Sequence, residues 1–108
     1  MKYRYAATLA QQPGLVHGSF SRLGGVSEGD YAESNFRLRD FDNPDHVREN
    51  YRLAGEELGF DPAQMVGAQQ VHGTRVKFVR RNDVGLLWRD PPMKFDAMVT
   101  RLTGVPLT

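Results

Sequence analysis

The chain has 108 residues, 40% hydrophobic and 25% charged, with a formal net charge of +1 and no cysteine. That size suits one small domain or part of one, able to bury about 60–70% of its unfolded surface. It excludes a disulfide scaffold or a thiolate ligand from these residues, and no apolar run approaches the roughly 18 residues of a membrane span.

Residues 2–9 alternate, with Tyr3, Tyr5, Ala7 and Leu9 on one side and Lys2, Arg4 and Thr8 on the other, which predicts a half-buried strand. The first five residues, Met1-Lys2-Tyr3-Arg4-Tyr5, lack the apolar run of a secretory signal, so a cytoplasmic location is expected. Gln12-Pro13-Gly14 marks a turn, and a second strand is expected over Leu15–Arg22. Leu23 to Gly29 carries three glycines and reads as a loop with unusual backbone angles. Residues 30–42 are polar, aromatic and irregular, predicting turns with one short extended piece near Phe36.

The clearest helix opens at Asn43-Pro44-Asp45. Asn is a good N-cap, Pro suits the first helical position, and Asp favours the positive end of the dipole. Val47, Tyr51, Ala54 and Leu58 form one apolar stripe, and Gly59 is placed to end the helix in a left-handed turn. Asp61-Pro62-Ala63 reads as the cap of one further turn. Strands are expected near Met65–Ala68, at Thr74–Val79 and at Phe95–Thr100, with a long, partly flexible connection from Arg80 to Lys94. Thr103-Gly104 is a turn, and Val105-Pro106-Leu107-Thr108 begins another extended segment. The fold class is α+β: a mixed β-sheet with helices packed outside.

Three histidines are present. His46 falls off the apolar stripe and reads as a surface residue, and His17 as a hydrogen-bonded structural one. His72 sits between a strand and a Gly-permitted turn, in Gln69-Gln70-Val71-His72-Gly73, where an imidazole can reach a metal or substrate. No second histidine stands at metal-ligand spacing, so a self-contained metal site is not predicted. Arg22 precedes Gly24-Gly25, a loop in which backbone amides and a guanidinium can converge on an oxyanion. Asn35, Gln69, Gln70 and Asp96 are candidate hydrogen-bonding groups, and each reads equally as a turn or cap residue. Leu86-Leu87-Trp88 reads as a cover for a core edge or as a contact patch.

Charge is laid out unevenly. Residues 41–70 sum to −4 and residues 71–108 to +4, and eleven of the fourteen basic side chains are arginine. Arginine forks suit phosphate and carboxylate, which admits an anionic ligand, although a solvated surface explains most of these charges.

Ser21-Arg22-Leu23-Gly24-Gly25-Val26-Ser27-Glu28-Gly29-Asp30-Tyr31 and Ser34-Asn35-Phe36 resemble the opening of the YfiH-like, laccase-domain family. The likeness continues through Asn43–Arg52, Gln70-Val71-His72-Gly73-Thr74, Asp96-Ala97-Met98-Val99-Thr100 and Gly104-Val105-Pro106-Leu107, in order and at the expected separations. One departure is Asn35-Phe36-Arg37-Leu38-Arg39, where many members read Asn-Leu-Gly-Leu-His. Members were first described as multicopper polyphenol oxidases. The resemblance implies zinc-dependent purine nucleoside chemistry: phosphorolysis of adenosine, inosine and guanosine, with adenosine deamination and methylthioadenosine cleavage.

It further implies that His72 is one zinc ligand, the others being a cysteine of an Ala-Asp-Cys element and a later histidine, both beyond Thr108. Residues 1–108 are then the N-terminal part of a YfiH-like laccase domain, binding zinc poorly and inactive alone. Purine nucleosides and phosphate are the implied partners, with Arg22, Asn35 and Gln70 on the substrate side. A copper-dependent phenol oxidase is the alternative, since a His, His, Cys site also suits copper. A non-catalytic binding module, for instance for RNA, is a third reading, disfavoured by the absence of a stacked aromatic pattern. An exposed sheet edge near Leu107 is expected to permit self-association.

Overall fold

The computed structural model describes residues 1–39 and 41–108, and the expectation for residues 30–42 includes Asp40, which lies outside them. Its elements are β1 (Tyr3–Arg4), α1 (Ala7–Ala10), β2 (Ser19–Phe20), α2 (Pro44–Leu58), β3 (Val76–Val79) and β4 (Ala97–Thr100), joined by short 3₁₀ turns. Helices and small sheets are mixed, so the α+β class holds. The strands form two pairs, one antiparallel and one parallel. The chain divides into two compact units, Met1–Gly59 and Phe60–Thr108.

In the first unit β1 pairs antiparallel with β2, with Tyr3 opposite Phe20 and Arg4 opposite Ser19. The strand expected over residues 2–9 ends early. The Ala6 amide donates to His17 Nε2 at 2.7 Å instead of to a ladder partner, and Ala7–Ala10 then winds into one helical turn. Alternation misled here because Tyr5 and Leu9 are 65% and 44% exposed, so no core selected that face. The same bond gives His17 the structural role expected of it.

α2 follows its sequence signals. Asn43 Oδ1 accepts from the Asp45 amide, Pro44 opens the first turn, and Gly59 closes the helix at φ +77°. Val47, Tyr51 and Ala54 are buried, with Asn50 beside them. An aromatic chain ties the helix to the strands. Tyr3 meets Phe20 at 5.4 Å between ring centroids, Phe20 meets Phe36 at 5.8 Å, and Phe36 meets Tyr51 at 5.0 Å. Such tilted and edge-on pairs add to the burial of large apolar rings.

In the second unit β3 and β4 run parallel, with Val76 opposite Ala97 and Val79 opposite Thr100. Parallel pairing needs a long crossover, and residues 80–96 supply it. Two 3₁₀ turns, Arg81–Asp83 and Leu86–Trp88, order this crossover, which the sequence leaves as a partly flexible connection. Leu86 and Leu87 are buried, and Trp88 Nε1 donates to the Pro62 carbonyl at 2.8 Å, so this segment covers the core edge. Val66, Val79, Leu86 and Phe95 form the core, with Ala68, Met93, Met98 and Val105 packed against it. The strand expected at Met65–Ala68 is reduced to a single parallel bridge, Val66 to Leu107. No helix among the described residues is long and apolar enough to cross a membrane.

Candidate functional site

The loop 71–75 hangs over the start of β4. Its residues are all exposed, so burial does not hold it in place. Asp96, the residue before β4, does. Its Oδ1 accepts from the Val71 amide at 3.0 Å and its Oδ2 from the Arg75 amide at 3.3 Å, and the amides of Gly73 and His72 are also directed at it. Desolvation, the largest influence, pushes the Asp96 carboxyl upward, but these four amides together hold it below the usual carboxylate range.

Within this loop His72 has φ +58°, the only non-glycine residue with positive φ among the described residues. A left-handed conformation costs an L-residue about 1–2 kcal/mol, less where a polar side chain bonds locally. The conformation turns successive amides to one side, which is how a backbone concavity for an anion forms. Here the anion is the protein's own carboxylate. The imidazole itself is left in solvent. Gln70, two residues earlier, is also exposed, and Gln69 is tied back by its amide to the Met93 carbonyl at 2.9 Å.

In the first unit Arg22 is exposed, and its carbonyl accepts from the amides of Glu33 and Ser34 at 3.0 and 2.9 Å. The Glu33 carboxylate in turn accepts from the Gly24 amide at 2.8 Å. Asn50, with 0% of its surface exposed, locks the following residues: Oδ1 accepts from the Val26 amide at 2.8 Å, and Nδ2 donates to Ser27 Oγ and to the Asn35 carbonyl, both at 2.9 Å. Ser27 Oγ donates onward to Asp42 Oδ2 at 2.6 Å, and Asn35 Nδ2 reaches the same oxygen at 3.0 Å. These two bonds, Ser27 first, hold the Asp42 carboxyl below its ordinary range.

The four residues singled out by sequence are therefore placed differently. Gln70 and His72 are brought together, exposed, on one loop of the second unit. Arg22 is exposed in the first unit, two residues before Gly24 in the chain. Asn35 is drawn inward: Nδ2 is given to Asp42, and Oδ1 accepts from the Arg37 amide at 3.1 Å, so both ends of its carboxamide serve the loop. His46, expected on the surface, is half-buried near the Asp42 charge. Sequence reading missed Asn50, although it stands three residues after Val47 and four before Ala54, on the apolar stripe. A polar residue at a core position was the available signal.

Metal chemistry needs a set of ligands, and no three His, Asp or Glu side chains group to hold an ion among the described residues. An exposed imidazole fits one position of such a set, whereas the Asp96 oxygens are already engaged by amides.

The family model of the multi-copper polyphenol oxidoreductase laccase matches residues 16–108. The chain is 39% identical over 95 residues to purine nucleoside phosphorylase SCO2081 of Streptomyces coelicolor, covering 87% of this chain and 37% of that protein. It is 35% identical over 72 residues to purine nucleoside phosphorylase YlmD of Geobacillus stearothermophilus, covering 67% and 26%. Two crystal structures share the fold. Hypothetical protein YfiH of Bacillus licheniformis gives a TM-score of 0.77 at 27% identity, covering 83% of this chain and 35% of that one. YlmD of Geobacillus stearothermophilus gives 0.78 at 28%, covering 94% and 38%. The chain thus spans 37% and 26% of the two phosphorylases it matches. With all but its first fifteen residues inside the family model, the chain belongs to the multi-copper polyphenol oxidoreductase laccase family, the YfiH-like group that its motifs resemble.

Proposed function

We propose that this chain supplies the His72 side of a zinc-dependent purine nucleoside phosphorylase. One observation carries the reading: an exposed imidazole is kept on a left-handed backbone where glycine would be less costly. Strain retained at such a position points to a use for the side chain. The relatives are named purine nucleoside phosphorylases, which supports phosphate and a purine nucleoside as substrates.

His72 is the residue that would hold zinc, as one ligand among several, with the others supplied from outside residues 1–108. Zinc with an open coordination position supplies a Lewis acid and lowers the pKa of bound water towards about 7. The chain's own contributions are positional. The guanidinium of Arg22, an exposed residue two positions before Gly24, would take phosphate as a bidentate fork and orient it towards the ribose carbon that loses the purine. Charge stabilisation by that guanidinium adds to orientation. Gln70, exposed beside the same loop as His72, would hydrogen-bond the nucleoside. Adenosine deamination and methylthioadenosine cleavage are side activities of the same assignment.

A chimera tests this reading: residues 16–108 replace the matching segment of Geobacillus stearothermophilus YlmD. Phosphate-dependent release of hypoxanthine from inosine, with bound zinc, is the expected result, and His72→Ala should reduce both at least 100-fold. Undiminished turnover in His72→Ala would remove the assignment. Copper content with phenol oxidation and no phosphorolysis would favour the oxidase for which the family is named. The 108-residue chain alone is expected to turn over no nucleoside, because one imidazole cannot complete a tetrahedral site.

A further inference from the structure

We infer that Asp96 is the positioning residue for His72: its carboxylate takes backbone amides from both sides of the histidine and fixes the turn that presents the imidazole. The functional meaning rests on the phosphorylase reading of His72, whereas the backbone arrangement can be tested without it.

Three features single out Asp96. Its own position is rigidly set: Phe95 before it is buried in the core, Ala97 after it is in register with Val76, and its amide donates to the Arg75 carbonyl at 2.9 Å. The loop it holds has little else to order it, since residues 69–76 are all exposed and an exposed loop opens easily. Finally, the bonds straddle the histidine, with Val71 on one oxygen and Arg75 on the other. Closing such a loop with two carboxylate bonds fixes the backbone of the residue between them. Gly73 permits this approach, because a Cβ there would lie 3.3 Å from Asp96 Oδ2. Both carboxylate oxygens are spent in the process, so Asp96 acts on His72 through the backbone and is not itself a metal ligand.

The test is nuclear magnetic resonance on the isotope-labelled 108-residue chain. A positive φ brings an α-proton close to its own amide proton, so His72 should give a strong intraresidue cross-peak. In Asp96→Asn and Asp96→Ala that cross-peak should fall to the level of ordinary residues. Amide exchange at Val71 and Arg75 should quicken at least tenfold, while the amides of α2 keep their protection. If either replacement unfolds the chain, Asp96→Glu carries the same readout. It keeps both acceptor oxygens one methylene further out and should weaken the cross-peak without removing the charge. A full-strength cross-peak with unchanged exchange in these variants overturns the assignment. An inactive chimera alongside a lost cross-peak would remove the phosphorylase reading and leave Asp96 in its role.

Discussion

Asn50 on α2 accepts a hydrogen bond from the Val26 amide at 2.8 Å, fixing the end of the glycine segment that follows Arg22. The bond crosses twenty-four residues of sequence and joins a fully buried acceptor, Asn50 at 0% exposure, to the more exposed Val26. A helix that looks like simple apolar packing therefore also carries the anchor of a polar loop. The other end of the Asn50 carboxamide extends the anchor to Ser27 and Asn35, and through them to Asp42.

Replacing Asn50 by Ala should destabilise the fold by about 2–4 kcal/mol, because it leaves the Val26 amide, Ser27 and the Asn35 carbonyl short of a buried partner. Ser34 is the contrasting case. Its hydroxyl is buried without a hydrogen-bond partner among the described residues. Ser34→Ala should therefore cost nothing or stabilise by up to about 1 kcal/mol. Urea unfolding midpoints of the two variants against the parent chain separate these outcomes.

Gly25 and Gly29 should respond to alanine very differently. A Cβ on Gly25 would run into the Glu33 carbonyl oxygen and lie 2.6 Å from both Asn50 Oδ1 and Ser34 Cα. Most of those atoms are backbone and cannot step aside, so Gly25→Ala should cost about 2–3 kcal/mol or more. Gly29 has φ +62° and no atom within 4 Å of where a Cβ would stand. Gly29→Ala should cost only the left-handed penalty, about 1 kcal/mol. Equal costs would show that the glycine segment is not packed against Asn50.

Acid should loosen the fold in a defined direction. Asp42, Asp83 and Asp96 all have folded-state pKa values below the ordinary aspartate value: Asp42 chiefly through Ser27, Asp83 chiefly through the Arg80 amide, and Asp96 through its amides working against desolvation. A depressed folded pKa means stability that is present above the unfolded value of about 3.9 and is lost as pH falls through the folded one. The urea midpoint should thus be steady near neutrality and drop below about pH 4. Asp42→Asn and Asp96→Asn should each flatten that drop. A midpoint that rises on acidification would contradict the hydrogen-bond pattern.

The local parts of this fold are legible in the sequence and the long-range parts are not. Asn43, Pro44 and Gly59 define α2 because a cap or a left-handed stop is decided by the residue itself and its neighbours. Tyr3–Leu9 misleads because alternation predicts a strand only when a core selects one face, and His17, eleven residues from Ala6, takes the amide a ladder needed. The Arg80–Lys94 crossover carries no strong periodicity, and its order comes from burying Leu86 and Leu87. Among the candidate site residues, His72, Gln70 and Arg22 stand exposed, as polar residues of loops do. The inward use of Asn35 depends on Asp42 and Asn50, and the tie from Asp96 to Val71 spans twenty-five residues. Neither follows from spacing.

Histidine at position 72 should hold stability below what the same loop could reach. His72→Gly removes the left-handed penalty of about 1–2 kcal/mol but adds unfolded-chain entropy worth about 0.4–1 kcal/mol. The net expectation is a gain of about 0.5–1 kcal/mol, read as a higher urea midpoint. His72→Ala keeps a Cβ on the same backbone and should show no such gain. Both variants remove the imidazole, so both should abolish zinc binding and phosphorolysis in the chimera. A glycine variant that is more stable and inactive, beside an alanine variant that is merely inactive, would show stability given up at this residue for its side chain. A glycine variant no more stable than alanine would mean that the turn at φ +58° is relaxed for histidine, removing strain as a reason to read function there.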